Sequence, residues 1–158
     1  MAHESVVRGG DGEGRGDSEA TARRWTPVTL GESYPPPKGA YSPAVRAGDF
    51  VFVSGQVPRD PRTGAEEGGD IVAQSRRTLE NLRLALEAAG ASLDDLVSVT
   101  VYLADENDWG AFNDVYRATL RPPYPARAVV GAGLRGVLVE ISGVAHVGAA
   151  AARRGAGQ

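Results

Sequence analysis

The sequence predicts an α+β domain, one sheet with two helices packed on one of its faces. Two observations predict it. Apolar residues recur at helical spacing in two segments, each closed by a breaker, and the other apolar segments are short and strand-like. The order of the clearest elements is strand, strand, helix, strand, helix, strand, strand, which a single sheet with helices on one side accommodates economically. No internal repeat is present.

Taken in order, residues 1–24 are glycine-rich, carry charges of both signs and offer little to bury, so a disordered extension is expected there. One domain is expected over residues 25–148 and a flexible tail over 149–158. Trp25 to Leu30 suits a short first strand, and Pro35-Pro36-Pro37 then forbids regular pairing. Tyr41 to Arg46 and Phe50 to Val53 flank Ala47-Gly48-Asp49, a hairpin turn. Phe50-Val51-Phe52-Val53 is apolar throughout, as expected of a strand covered on both faces. Pro58 to Gly64 is loop.

Asp70 is the expected N-cap of the first helix and Gly90 its terminator. Ile71, Leu79, Leu82, Ala85, Leu86 and Ala89 line one side. Arg76, Arg77, Glu80, Arg83 and Glu87 form a solvated face, with Glu80 placed to pair Arg76 or Arg83. Val97, Val99, Val101 and Leu103 alternate and should face one layer. The second helix should begin near Asn107 or Asp108, bury Trp109, Phe112, Val115, Tyr116 and Leu120, and stop at Pro122-Pro123. Ala126 to Gly131 and Val137 to Val147 complete the strands. The sheet face that no helix covers is expected to bury itself against another subunit.

Composition narrows the chemistry. The chain has 158 residues, a formal net charge of −3 and no cysteine, so thiolate nucleophiles, thiolate-ligated metals and redox switching are excluded. Lys38 is the only lysine and thus the only Schiff-base candidate. No basic stripe suggests nucleic-acid binding, no apolar run matches a membrane span, and the first residues do not read as a secretory signal. A cytoplasmic protein is expected.

His3 falls in the extension and His146 ends the last strand without an obvious partner, which favours a structural role; no paired-ligand spacing suggests a metal site. No GxSxG elbow occurs. Ser54-Gly55 is either a bulged strand end or a place where hydroxyl and close backbone meet a ligand. Arg127 and Glu140 are sharper features, because each places a charge in an otherwise apolar strand. Such a charge costs several kcal/mol unless paired or solvated. Either the two form a buried salt bridge or face solvent, or they line a cleft where Arg127 holds an anion bidentately and Glu140 acts as a base.

From about Lys38 to Val147 the chain resembles the Rid family, the reactive intermediate deaminases. The resemblance is carried in order by Gly39-Ala40-Tyr41-Ser42, Phe52 to Pro58, Gln74 to Gly90, Val99 to Leu103, Phe112-Asn113-Asp114-Val115-Tyr116, Pro125-Ala126-Arg127 and Val139-Glu140-Ile141. It implies a chorismate-mutase-like fold assembled as a homotrimer, with sheets forming a central barrel and ligand clefts between subunits. It implies a substrate class of short imino or enamino acids, hydrolysed to 2-keto acids and ammonia with no cofactor. Arg127 matches the arginine that binds the substrate carboxylate, and Glu140 the acid that positions or activates water. Tyr41, Ser54 and Asn113 match positions that contact substrate or order water.

The chain also departs from the family. Val129 stands where a cysteine is common, the loop Gly131 to Gly136 is shorter and lacks a proline, and Ala40 and Pro43 differ from the usual run. These loops shape the cleft, so the resemblance leaves the substrate range open. The alternatives are a carboxylate-binding module without turnover, a pathway enzyme acting on another small carbonyl compound, and a ribonuclease. The net negative charge, single lysine and lack of a histidine pair argue against the last.

Overall fold

The computed structural model describes residues 24–31 and 35–147. The extension expected over 1–24 lies outside these apart from Arg24, and the tail expected over 149–158 lies wholly outside them. The described residues form β1 (Thr26–Val28), β2 (Ala44–Ala47), β3 (Phe50–Gln56), α1 (Ile71–Ala88), β4 (Leu96–Leu103), α2 (Trp109–Thr119), β5 (Ala126–Gly131) and β6 (Val139–His146). One six-stranded sheet has the order β1-β2-β3-β6-β4-β5. All neighbours are antiparallel except β4 and β5. That parallel pair needs a crossover, and α2 supplies it.

Both helices cover the same face. Val51, Val53, Val99, Val101, Leu103, Val139 and Ile141 point toward them and are buried, joined by Leu79, Leu82 and Leu86 of α1 and Phe112 of α2. Each such side chain contributes about 1.5–3 kcal/mol by leaving water. The Asp70 side chain accepts a hydrogen bond from the Ala73 amide at 2.8 Å, as an N-cap should. Gly90 follows the helix at φ 75°, and the Ala91 amide donates back to the Leu86 carbonyl at 2.9 Å. On the outer face Glu80 pairs with Arg83, whose guanidinium holds the Glu80 carboxyl below its ordinary range.

Two expectations need correcting. Val97 does not join the buried layer: the register of β4 against β6 shifts between Leu96 and Ser98, so Leu96 enters the core and Val97 is turned out. A bulge reverses the alternation on one side of itself, which strict period-two counting misses. Trp109 opens α2 a full turn ahead of its first buried residue, Phe112, and stays 47% exposed. Among the described residues the Phe50 strand is covered on one face, and Phe50 and Phe52, 43% and 45% exposed, lie on the open sheet face for which burial against another subunit is expected.

The buried side of α1 is also more polar than its leucines suggest, because Gln74, Ser75, Thr78 and Asn81 are buried. Loops lie against this part of the helix, and their backbone groups need partners. Asn81 donates to the carbonyls of Val57 and Arg59 at 2.9 and 2.8 Å. Gln74 donates to Gly69 O at 3.2 Å and accepts from the Leu138 amide at 2.8 Å. These bonds fix the loop that follows β3 and the entry to β6. Asn81→Leu keeps the volume but strands two carbonyls, so it should lower the unfolding free energy by about 2–4 kcal/mol in chemical denaturation. An unchanged midpoint and slope would show that these bonds do not hold the loop.

Candidate functional site

Arg127 is the second residue of β5 and pairs in register with Val99, a helix-side residue, so its side chain also points to the helix side. There α2 meets it with Tyr116, which lies four residues after Phe112 and three after Asn113 and so shares a helical face with each. The Arg127 Nη2 donates to Asn113 Oδ1 at 2.9 Å. Its Cζ lies 4.5 Å from the centre of the Tyr116 ring and 6.0 Å from that of Phe112. Asn113, Tyr116, Arg117, Tyr124, Pro125 and Arg127 line an open cavity of about 330 Å³. Among the described residues Arg127 forms no ion pair. A half-buried guanidinium without a carboxylate partner, facing a cavity, is chemically an anion receptor.

Burial raises the Tyr116 hydroxyl above its ordinary pKa; the nearby Arg127 charge opposes this, and Tyr124 adds to it. Tyr116 therefore remains neutral well beyond neutral pH, and no second charge competes for the guanidinium.

Glu140 lies elsewhere. On β6 it faces Tyr102 of β4, on the face opposite the helices, where its neighbours Val139 and Ile141 do not point. The expected alternative of a salt bridge between Arg127 and Glu140 is not what forms: the two occupy opposite faces with β4 between their strands. Glu140 shares a cavity with Val57, Arg59, Glu66, Arg135 and the loop at Gly133. Its carboxylate rests on Gly55, where an added Cβ would come within 2.8 Å of Glu140 Cδ and closer still to Oε1.

Gly55 lies in the register shift of β3 between Val53 and Gln56, so the expected bulge is present, and it admits the Glu140 side chain. Beside it, Ser54 Oγ donates to the Ser42 carbonyl at 2.7 Å, tying the segment that bears the exposed Tyr41 to the end of β3. The candidates thus do not meet in one place within the chain: Arg127 stands with Asn113, Glu140 rests on Gly55, Ser54 is bonded to Ser42, and Tyr41 lines a different cavity, which Gly55 also borders. The residues around Glu140 that sequence reasoning missed are Arg59 and Arg135, which sit on loops with no periodic signal. Tyr116 was legible only as a core residue, because its spacing reports burial and not which cation it faces.

His146 packs edge-on against Phe50 with ring centres 5.0 Å apart, in keeping with a structural role. Among the described residues no group of three His, Cys, Asp or Glu side chains is placed to hold a metal ion, and no helix is long and apolar enough to cross a membrane.

Residues 31–147 match the family profile described as Endoribonuclease L-PSP. A RutC family protein of Pyrococcus horikoshii is 46% identical over 121 residues, covering 75% of this chain and 96% of that protein. The 2-iminobutanoate/2-iminopropanoate deaminase of Mus musculus is 40% identical over 112 residues, covering 70% of this chain and 83% of that protein. The crystal structure of E. coli TdcF with bound serine is similar at a TM-score of 0.69 and 33% identity, covering 77% of this chain and 98% of that one.

Gly55→Ala should displace the Glu140 carboxylate while the chain still folds, at a stability cost of about 1–3 kcal/mol. A crystal structure of the variant with Glu140 unmoved would show that the close approach is not obligatory.

Proposed function

The chain belongs to the RidA/L-PSP (RutC) family, and we propose that it hydrolyses small reactive 2-imino and 2-enamino acids to 2-keto acids and ammonia. The observation that carries this reading is the Arg127 guanidinium, held by Asn113 and Tyr116, without an ion pair among the described residues and open to a cavity. A planar fork of donors suits a carboxylate, fixing its distance and its plane together. The mouse relative's name and the serine in TdcF support a small amino-acid-derived ligand.

In this reading Arg127 clamps the carboxylate and turns the C=N carbon toward a water. Glu140 takes a proton from that water as the water oxygen bonds to carbon and passes it to the imine nitrogen, giving a carbinolamine. Glu140 then takes the carbinolamine hydroxyl proton and delivers it to the amino nitrogen as the C–N bond breaks. The keto acid forms and nitrogen leaves as ammonia, so water is the only co-reactant and no cofactor is required. Tyr41, Ser54 and Asn113 bound the substrate and order the water.

Because Arg127 and Glu140 lie on opposite sheet faces, the reading requires Arg127 of one copy to meet Glu140 of the next. A homotrimer whose open sheet faces close into a barrel does this, and it buries Phe50 and Phe52 as well. We place the reaction in the cytoplasm.

Amino acids oxidised in situ to their imines provide the assay, with keto-acid release measured with and without the protein. Glu140→Ala should lower kcat by about 10²–10⁴-fold while 2-oxobutanoate still binds. Acceleration of none of the imines, with binding intact, would instead identify a carboxylate-binding module. Sedimentation should give a trimer across micromolar concentrations, and a stable monomer would remove the shared cleft from the mechanism.

A further inference from the structure

We propose that Tyr116 is a positioning residue whose ring face sets the plane and strength of the Arg127 carboxylate grip. This rests on the reading of Arg127 as the carboxylate anchor and adds to it a residue that acts through Arg127. A guanidinium can be held at its edges by hydrogen bonds and at its faces by π systems. Asn113 Oδ1 takes one edge through Nη2 at 2.9 Å, which fixes a point but leaves rotation about it. The Tyr116 ring lies 4.5 Å from Cζ and removes that freedom, whereas the Phe112 ring at 6.0 Å sits at the limit of useful attraction.

The ring and not the hydroxyl is the working part. Among the described residues the Tyr116 hydroxyl is buried with no hydrogen-bond partner, and the residue is only 2% exposed, so what it offers the guanidinium is its ring in the cavity wall and not a polar contact. The ring is also well anchored. It packs 5.7 Å from Phe112, centre to centre, and α2 carries the buried Val115 beside it. A rigid apolar platform beneath a cation keeps the donors of its free edge aimed outward without neutralising its charge. A carboxylate in that place would cancel the receptor.

The test replaces position 116 in the full-length protein with phenylalanine and then with mono-, di- and pentafluorophenylalanine, which drain the π face while keeping shape and packing. The Kd for 2-oxobutanoate should rise stepwise, by about five- to tenfold from phenylalanine to pentafluorophenylalanine. KM for the imine should rise in parallel, by more than kcat falls, while Tm stays level along the series. A flat Kd across the series with binding abolished in Arg127→Ala overturns the role of Tyr116 alone. Wild-type binding in Arg127→Ala overturns the anchor reading, and the role of Tyr116 falls with it.

Discussion

The structure depends on the insertion of β6 between β3 and β4. The last strand of the sheet is its central one, bonded on both edges, so the sheet stays in two parts until the end of the chain arrives. Its strict alternation gives it two faces of different character. Val139, Ile141 and Ala145 lie under the helices, while Glu140, Ser142, Val144 and His146 lie on the open side. A slip of one residue would bury Glu140 in the apolar core, at a cost of several kcal/mol. The same alternation that protects the core therefore sets where the carboxylate stands.

Backbone demand shapes the rest. The loops after β3 and before β6 run beside α1 with carbonyls and an amide that no strand satisfies, and α1 answers with Asn81 and Gln74. These polar residues interrupt an apolar helical face, yet they fix the loops that approach Glu140 from both sides. The loop near Glu140 is thereby attached to α1, whose inner face is buried in the core, which suits a site that must hold its geometry.

The two strand-embedded charges are tolerated for different physical reasons. Arg127 stands at the start of an edge strand, where one side reaches a cavity and an aromatic ring faces the cation without opposing its charge. Glu140 is half-buried, laid in a notch that exists because residue 55 lacks a Cβ. Both charges remain available to a ligand, and their separation makes assembly a requirement of the proposed chemistry.

Much of this was legible in the sequence. Helical spacing from Ile71 to Leu86, the Asp70 and Gly90 boundaries and the strand periods identified the elements and the inner face, because burial on one side imposes a period that needs no partner to be read. Arg127 and Glu140 stood out because charges in apolar strands are costly wherever the strands lie. The outward turn of Val97, the notch at Gly55, the polar tasks of Asn81 and Gln74 and the opposite faces of Arg127 and Glu140 were decided by tertiary structure. Each depends on register or on contact between segments far apart in sequence, and neither composition nor local period carries that information. The sequence by itself determined which strands carry a charge; the pairing of β5 with β4 and of β6 with β3 and β4 decided on which side of the sheet each charge stands.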